Sequence, residues 1–449
     1  MALSWLSIVR LGLVQTALGA IVVLSLSVMN RVMVVELQLA AVVPGFLVGV
    51  HHAVQISRPA LGYRSDLGAR RTPWIIGGMA VLALGSVLAA AAVMLMVDNR
   101  WLGLASALVA YLLIGIGVGA AGTTLLAMLA SRVAPTRRAA AASIVWLMMI
   151  AGFIVTTGTT APFLDPFSPL RLLQVTSVVS VCALIVAVVA ILGVEGPRSQ
   201  ATTEHDDVAK PSMREVFGEL WADPKARAFT VFVFLSMFAY GMQDLILEPF
   251  AGSVFGFSPG ESTRLSNLQY RGVFWGMIAA GVLAGRFQNR TGSLRQWTTM
   301  GCVASGLALA GLALAGTNIH WPLRANVFAL GLGNGAFAVA AIGWMMTLAG
   351  SGKSSREGSR MGLWGAAQAI GTALGGFLGA AMVDVVRLGF TAADATSYST
   401  VFALEGLLFA VAALLAARME ATPALERNRV STGSPRALTS PLATKGVQS

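Results

Sequence analysis

Long apolar runs separated by short polar segments dominate this chain. Most of these runs reach or approach the length of about 18 to 20 residues that a helix needs to cross the hydrocarbon core of a bilayer. The pattern predicts twelve spans, at 11–29, 40–57, 74–97, 101–130, 140–161, 172–194, 228–247, 268–285, 298–316, 322–349, 361–383 and 398–417. We therefore predict an all-α membrane protein with twelve transmembrane helices.

Two longer polar segments divide the chain. Residues 195–227 are charged, with a Gly-Pro pair near their start, and residues after 419 are rich in Thr, Ser, Pro and Arg. We predict a six-helix half at 1–194, a cytoplasmic linker at 195–227, a second six-helix half at 228–418 and a disordered cytoplasmic tail at 419–449. Within the linker, a short amphipathic helix is predicted near Met213–Trp221.

The two predicted halves share a sequence pattern. Three glycines of span four recur in span ten, each 216 positions later: Gly115, Gly117 and Gly119 match Gly331, Gly333 and Gly335. Arg138 and Trp146 match Arg356 and Trp364, each 218 positions later. Parallel six-helix repeats are typical of major facilitator proteins, and small residues at this spacing let helices approach closely.

Composition supports a membrane location. Hydrophobic residues make up 56% of the 449 residues and charged residues 11%, with a mean hydropathy of +0.74, whereas soluble domains are about 25% charged. The net charge of +11 reflects basic cytoplasmic loops rather than a nucleic-acid partner. With both termini in the cytoplasm, 24 of the 31 Lys and Arg residues fall on cytoplasmic segments, as the positive-inside rule requires.

The turn between spans two and three has a recognisable spacing. It reads G-x-x-x-D-x-G-x-R-R, formed by Gly62, Asp66, Gly68, Arg70 and Arg71. The glycines allow a tight turn, the aspartate suits a helix terminus, and the arginines hold the loop on the cytoplasmic side. The spacing resembles the signature loop of the major facilitator superfamily, which implies a role in switching between two packings of the helices.

Span two carries a polar cluster. His51 and Gln55 lie four residues apart and share a helix face, whereas His52 points about 100° away. One interpretation is a hydrogen-bonded cluster that stabilises the span. The second is pigment binding, with an imidazole as axial ligand to the magnesium of a chlorin ring, and a proton relay is the third.

Carboxyl groups inside the other spans are costly and therefore candidates for function. Asp244 and Glu248 share one face at the end of span seven, where they could cap the helix at the interface or serve a functional role. Glu405 is flanked by apolar residues in span twelve and is the stronger candidate for an intramembrane carboxylate. We expect Arg31 and Glu36, at the end of span one, to lie at the interface.

Several patterns are absent from the sequence. It has no phosphate-binding loop, no nucleophile triad, no metal-ligand spacing and no aspartate-rich diphosphate motif, so we predict a protein that is not an enzyme. Span four carries Tyr111 and Ile114 where facilitators usually place Arg and Gln. Span five lacks the proline-glycine pattern of antiporters. These differences argue against an ordinary proton-coupled solute transporter.

Four longer motifs carry a more specific resemblance. They are NRVMVVEL at 30–37, HHAVQISRPALGYRSD at 51–66, GARRTPWIIGG at 68–78 and QDLILEPFAGSVFGFSPGESTRLS at 243–266. In these motifs the chain resembles the bacteriochlorophyll-delivery (PucC/LhaA-type) family. The turn after Asp66 is short, which makes the chain most similar to the branch of that family encoded beside bacteriochlorophyll synthase. The resemblance covers nearly the whole chain except the linker and tail.

The resemblance implies a membrane carrier or assembly factor. Its cargo would be bacteriochlorophyll or a late precursor, with no permanently bound cofactor. Its clients would be light-harvesting or reaction-centre apoproteins in the bacterial inner (intracytoplasmic) membrane, with bacteriochlorophyll synthase as a further partner. Two other functions stay open: a secondary transporter of a small solute, and a non-transporting scaffold for pigment enzymes.

Overall fold

The computed structural model describes residues 3–55, 70–134, 137–195, 218, 221–286, 293–318, 320–350, 357–389 and 393–419. These ranges contain twelve long helices and no β-strand. The first half comprises α1 (Trp5–Glu36), α2 (Val42–Val54), α3 (Thr72–Asp98), α4 (Arg100–Arg132), α5 (Arg138–Thr160) and α6 (Pro169–Ile191). The second half comprises α7 (Pro224–Phe255), α8 (Pro259–Arg286), α9 (Ser293–Ala315), α10 (Leu323–Gly350), α11 (Glu357–Gly389) and α12 (Asp394–Arg418).

The twelve helices coincide with the twelve predicted spans. Ten of them are long and apolar enough to cross a membrane, and α2 is a shorter apolar helix. Helix α8 is more polar, and it begins nine residues before the predicted span at 268–285. Its polar residues Thr263, Ser266 and Asn267 are buried, so they face protein rather than lipid. The predicted helical membrane bundle is confirmed.

Local sequence sets the ends of several helices. The side chain of Asn99 accepts a hydrogen bond from the Leu102 N–H and caps α4, and Ser168 caps α6 in the same way through the Arg171 N–H. Such caps satisfy backbone donors that the helix leaves unpaired. Helix α7 ends at Gly256, whose φ of 68° is in the left-handed region that glycine adopts without strain.

The repeated glycines occupy equivalent helix contacts in the two halves. A Cβ atom on Gly115 of α4 would lie 2.7 Å from the His51 carbonyl oxygen on α2, and one on Gly331 of α10 would lie 2.2 Å from the Gln269 carbonyl oxygen on α8. Helices α2 and α8 hold the same position in their six-helix sets. The glycines therefore bring corresponding helices into backbone contact, as their spacing predicted.

Buried apolar side chains form two main clusters. One fills the first half and includes Leu245, Tyr270, Val273 and Met277 of α7 and α8. The other lies within the second half. Each half thus has its own core, and α7 and α8 contribute the residues that reach across.

Some predicted features lie outside the described residues. They are Gly62, Asp66 and Gly68 of the turn, most of the linker together with its predicted amphipathic helix except Gly218 and Trp221, and the tail after Met419. The exact boundaries proposed for the halves, linker and tail stay predictions.

Candidate functional site

A polar cluster joins the two halves inside the bundle. Glu248 of α7 is 2% exposed, and its Oε1 atom accepts hydrogen bonds from Ser27 of α1 at 2.7 Å and from Ser266 of α8 at 2.5 Å. Beside it, the side-chain amide of Asn30 donates to the Leu245 carbonyl oxygen at 2.6 Å. One carboxylate thus holds three helices together across the boundary between the halves.

Arg31 extends the same cluster. Its guanidinium pairs with Glu36 at 2.5 Å, donates to the Phe257 carbonyl oxygen at 2.5 Å and reaches Ser262 Oγ at 3.3 Å. The side chain of Arg31 is only 2% exposed and that of Glu36 is 31% exposed, so protein contacts bury the guanidinium, and the position of both residues at the membrane interface stays a prediction. The segment and helix that follow α7 enclose it through Phe257 and Ser262. The sequence of α1 alone carries no sign of this contact.

We call Ser27, Asn30, Arg31, Glu248, Ser262 and Ser266 the cross-half cluster. Two further contacts lie toward the same end of the bundle: the Gly260 N–H donates to Asp165 Oδ1 at 3.1 Å, and the Val42 N–H donates to Asp384 Oδ2 at 2.7 Å. Helices α1, α5, α7 and α11 finish at this end. The halves are therefore held together there.

The other two predicted carboxyl groups differ in their surroundings. Asp244 is half-buried one helical turn before Glu248 on α7. Glu405 is fully buried in α12, and neither of its carboxyl oxygens has a hydrogen-bond partner among the described residues. Near it, Gly306 of α9 and Gly406 of α12 are in close contact. The burial that the sequence predicted for Glu405 is present, and its role stays a prediction.

The polar cluster of α2 has the predicted geometry. The Nε2 atoms of His51 and Gln55 lie 2.7 Å apart, and the two histidine rings are 4.8 Å apart at an interplanar angle of 71°. His51 is 1% exposed, whereas His52 is half-buried. In this conformation His52 is therefore the imidazole that a large ring could reach more easily. Pigment binding at these residues stays a prediction.

The described part of the basic turn is anchored to neighbouring helices. Glu195 accepts hydrogen bonds from the Arg71 and Thr72 N–H groups at 2.6 and 2.7 Å, and the Arg71 guanidinium donates to the Ala127 carbonyl oxygen and Ser131 of α4. Partial burial raises the pKa of Glu195, but the hydrogen bonds from Arg71 and Thr72, together with the positive charge of Arg132, outweigh it and lower the pKa below its usual value. Arg70 is exposed beside this anchor.

Sequence reasoning missed the role of Glu195. The residue lies just after a predicted span and was assigned to the linker, but it caps the start of α3. A lone acidic residue at a membrane edge that is otherwise basic was the available signal, because carboxylates stabilise helix N-termini.

A groove of about 810 Å³ runs along the outside of the first half, between α1, α5 and α6. A smaller and more polar cavity of about 590 Å³ surrounds Arg31 and Glu36 at the boundary between the halves. Asp165, in the segment between α5 and α6, lines both. No individual residue of the groove was singled out from the sequence.

The bundle matches transporters of known structure. It superposes on a point mutant of the nucleoside transporter NupG with a TM-score of 0.68 and 13% identity, over 92% of this chain and 99% of that one. A bacterial homologue of the human lysosomal transporter Spinster, in an inward-facing and unoccupied conformation, gives a TM-score of 0.66 and 14% identity, over 93% of this chain and 98% of that one. The chain is thus a multi-pass membrane protein with the major facilitator fold.

Sequence comparison gives the family. The PUCC protein family model matches residues 28–423. The "Bacteriochlorophyll synthase 44.5 kDa chain" of Rhodobacter capsulatus is 51% identical over 416 residues, covering 93% of this chain and 96% of that protein. "Protein PucC" of Rhodobacter capsulatus is 30% identical over 427 residues, covering 90% of each. The chain belongs to the PucC family, which confirms the predicted resemblance.

Proposed function

We propose that this protein is a membrane carrier or assembly factor that delivers bacteriochlorophyll, or a late precursor, to light-harvesting or reaction-centre apoproteins. One observation carries the proposal: the 51% identity, over 93% of the chain, with a relative named for bacteriochlorophyll synthesis. The facilitator fold supports a carrier rather than an enzyme. We therefore propose bacteriochlorophyll synthase as a partner, not as the activity of this chain.

The geometry supports a cargo that enters away from the cross-half cluster. That cluster holds the halves together at one end, so access is from the opposite end or sideways from the bilayer. A pigment with a long apolar tail partitions into lipid and can enter sideways. We propose the imidazoles of α2 as the ligands of its magnesium, with His52 the more accessible and His51 held by Gln55.

We place the protein in the bacterial inner (intracytoplasmic) membrane with both termini in the cytoplasm. The basic residues of the loops support this orientation. In this orientation, the cross-half cluster is on the periplasmic side. The basic turn, with Gly62, Asp66, Gly68, Arg70 and Arg71, is on the cytoplasmic side. That turn is then placed to bias the packing of the first half.

The test is the absorption spectrum of protein purified from a phototrophically grown host. We expect pigment in the wild type, its loss when His51 and His52 are both changed to Leu, and its retention in the control His320→Leu, whose site is exposed between α9 and α10. Leucine keeps α2 apolar and helical, so folding should survive.

The outcomes separate the proposals. A wild-type protein that carries no pigment would contradict the carrier function and favour a small-solute transporter, which a flux assay would then identify. Full pigment retention in the double variant would assign the histidines to packing. Normal antenna assembly by a protein in which passage between the two halves is blocked would favour a scaffold.

A further inference from the structure

The outer groove of the first half has the shape of a site for one apolar chain. Helices α5 and α6 each pack on α1 but make little contact with each other, so α1 forms a floor between two walls. Along α6 the groove extends from Arg171 to Val186, which corresponds to about 22 Å at about 1.5 Å per residue. This length is roughly three-quarters of the hydrocarbon core, which is about 30 Å thick.

The floor of the groove packs closely against one of its walls. A Cβ atom on Gly152 of α5 would lie 2.4 Å from the Thr16 carbonyl oxygen of α1, and the Thr16 hydroxyl donates to the Met148 carbonyl oxygen at 2.8 Å. The two backbones are therefore in direct contact. This contact joins α1 to α5, and the groove is already open in this conformation.

The walls favour a branched chain. Val155 of α5 and Val178 of α6 face the groove and are 60% and 62% exposed, and Val175, Val179 and Val186 continue the α6 wall. Stiff β-branched side chains leave a corrugated surface of methyl groups. A methyl-branched chain fills such a surface better than a straight acyl chain does, because dispersion contacts depend on close fit.

The polar rim at one end is electrically balanced. It carries Asp165, Arg171 and Gln174. The Arg171 guanidinium donates to the Asp165 and Pro166 carbonyl oxygens at 3.0 Å each, and the Asp165 carboxylate accepts from the Gly260 N–H. The two charges offset each other and are already engaged, so the rim suits an uncharged polar group better than a phosphate.

From this geometry we propose that the groove binds the isoprenoid tail of the pigment. The methyl-branched tail lies along α6, and the neutral ester that joins it to the ring lies at the rim near Gln174. Helix α2 packs mainly on α4 and α11, and its imidazoles lie toward the opposite end of the bundle, so the groove is a separate docking position that the pigment occupies before it reaches them. This inference rests on the proposed function and adds the location of the tail and the part of the cargo that is recognised. Since Asp165 also contacts Gly260 of the second half, an occupied rim adjoins a contact between the halves.

The test uses full-length protein in nanodiscs with two photoreactive probes, a diterpenoid alcohol and a straight-chain alcohol of equal length. The variant Val178→Trp fills the groove. Its matched control is Val189→Trp, a residue of the same helix that is 63% exposed and does not line the groove. Both sites are lipid-facing and exposed, so both variants should fold.

We expect the isoprenoid probe to label the α5 and α6 walls and Val178→Trp to reduce that labelling at least about fourfold, since exclusion of even one methylene lowers the affinity by a factor of about four. In Val189→Trp, the probe should label the groove walls to the same extent as in the wild type. Esterified bacteriochlorophyll should compete with the probe, whereas the pigment without its tail should not.

Two results would overturn different statements. Equal labelling of the groove and of the Val189 surface by both probes would show a surface for bulk lipid chains and refute the groove as a site, leaving the carrier function intact. Selective isoprenoid labelling without competition by esterified pigment, in a protein that purifies without pigment, would refute the pigment as occupant together with the proposed function.

Discussion

Replacing Arg31 by Met should release the contact between the two halves. The change keeps a long, flexible side chain but removes the guanidinium, which pairs with Glu36 and donates to the Phe257 carbonyl oxygen and to Ser262. The pair with Glu36 lies within the first half and does not hold the halves together. The other two contacts cross between the halves and are lost when this end opens.

The size of the effect follows from these two contacts. A hydrogen bond from a charged donor contributes about 1.5–3 kcal/mol. The bond to Phe257 is short at 2.5 Å, whereas the one to Ser262 is long at 3.3 Å and contributes little. We therefore expect about 1.5–3 kcal/mol, which raises the population open at this end by about 10- to 150-fold.

The assay is the alkylation rate of a cysteine placed inside the contact. Thr263 of α8 is fully buried near the cross-half cluster, and Thr263→Cys changes its size little. With Cys182 and Cys302 replaced by serine and alanine, a water-soluble maleimide reaches this thiol only when the end opens. The rate therefore follows the open population even when that population is small.

The conservative variant provides the control. Arg31→Lys keeps the positive charge but loses the planar fork, so it should raise the alkylation rate less than Arg31→Met does. If the two variants and the parent protein react at rates within about threefold, a difference of under about 1 kcal/mol, Arg31 does not hold the halves together and the reasoning fails.

Two further predictions concern the predicted cytoplasmic side. Because hydrogen bonds lower the folded-state pKa of Glu195, its stabilisation is present above the ordinary glutamate pKa of about 4.3 and is lost as pH falls through the folded-state value. The difference in unfolding temperature between wild type and Glu195→Gln should therefore be largest near pH 7 and disappear in acid; a difference independent of pH would contradict this cause. Reporter fusions after Arg198 and after Arg436 should both indicate the cytoplasm, and a periplasmic signal at either site would refute the proposed orientation.

The helices were predictable because the signal for a membrane span is local. A run of apolar residues specifies a span without reference to the rest of the chain, and all twelve predicted runs are helices in the structure. The predicted start of α8 was less accurate. Its buried residues Ser266 and Asn267 contact other helices, and residues that face protein do not follow the hydropathy pattern.

The site was predictable only where its partners are close in sequence. His51 and Gln55 are four residues apart, and their pairing followed from helical geometry alone. The contacts of Arg31 and Glu195 were not predictable, because most of their partners lie in other helices or loops. The sequence pattern predicts contacts between residues one helical turn apart, but it does not predict contacts between segments that are distant in sequence.

The polar character of α8 also bears on how the protein is made. Helix α8 is not among the ten helices apolar enough to cross a membrane by themselves. Asn267 donates to the Ile154 carbonyl oxygen and to Thr157, both on α5, so part of its polar surface is satisfied only after the first half is in place. Synthesis from the N-terminus delivers α5 before α8. The order of the halves along the chain thus has the partner of Asn267 synthesised before α8 needs it.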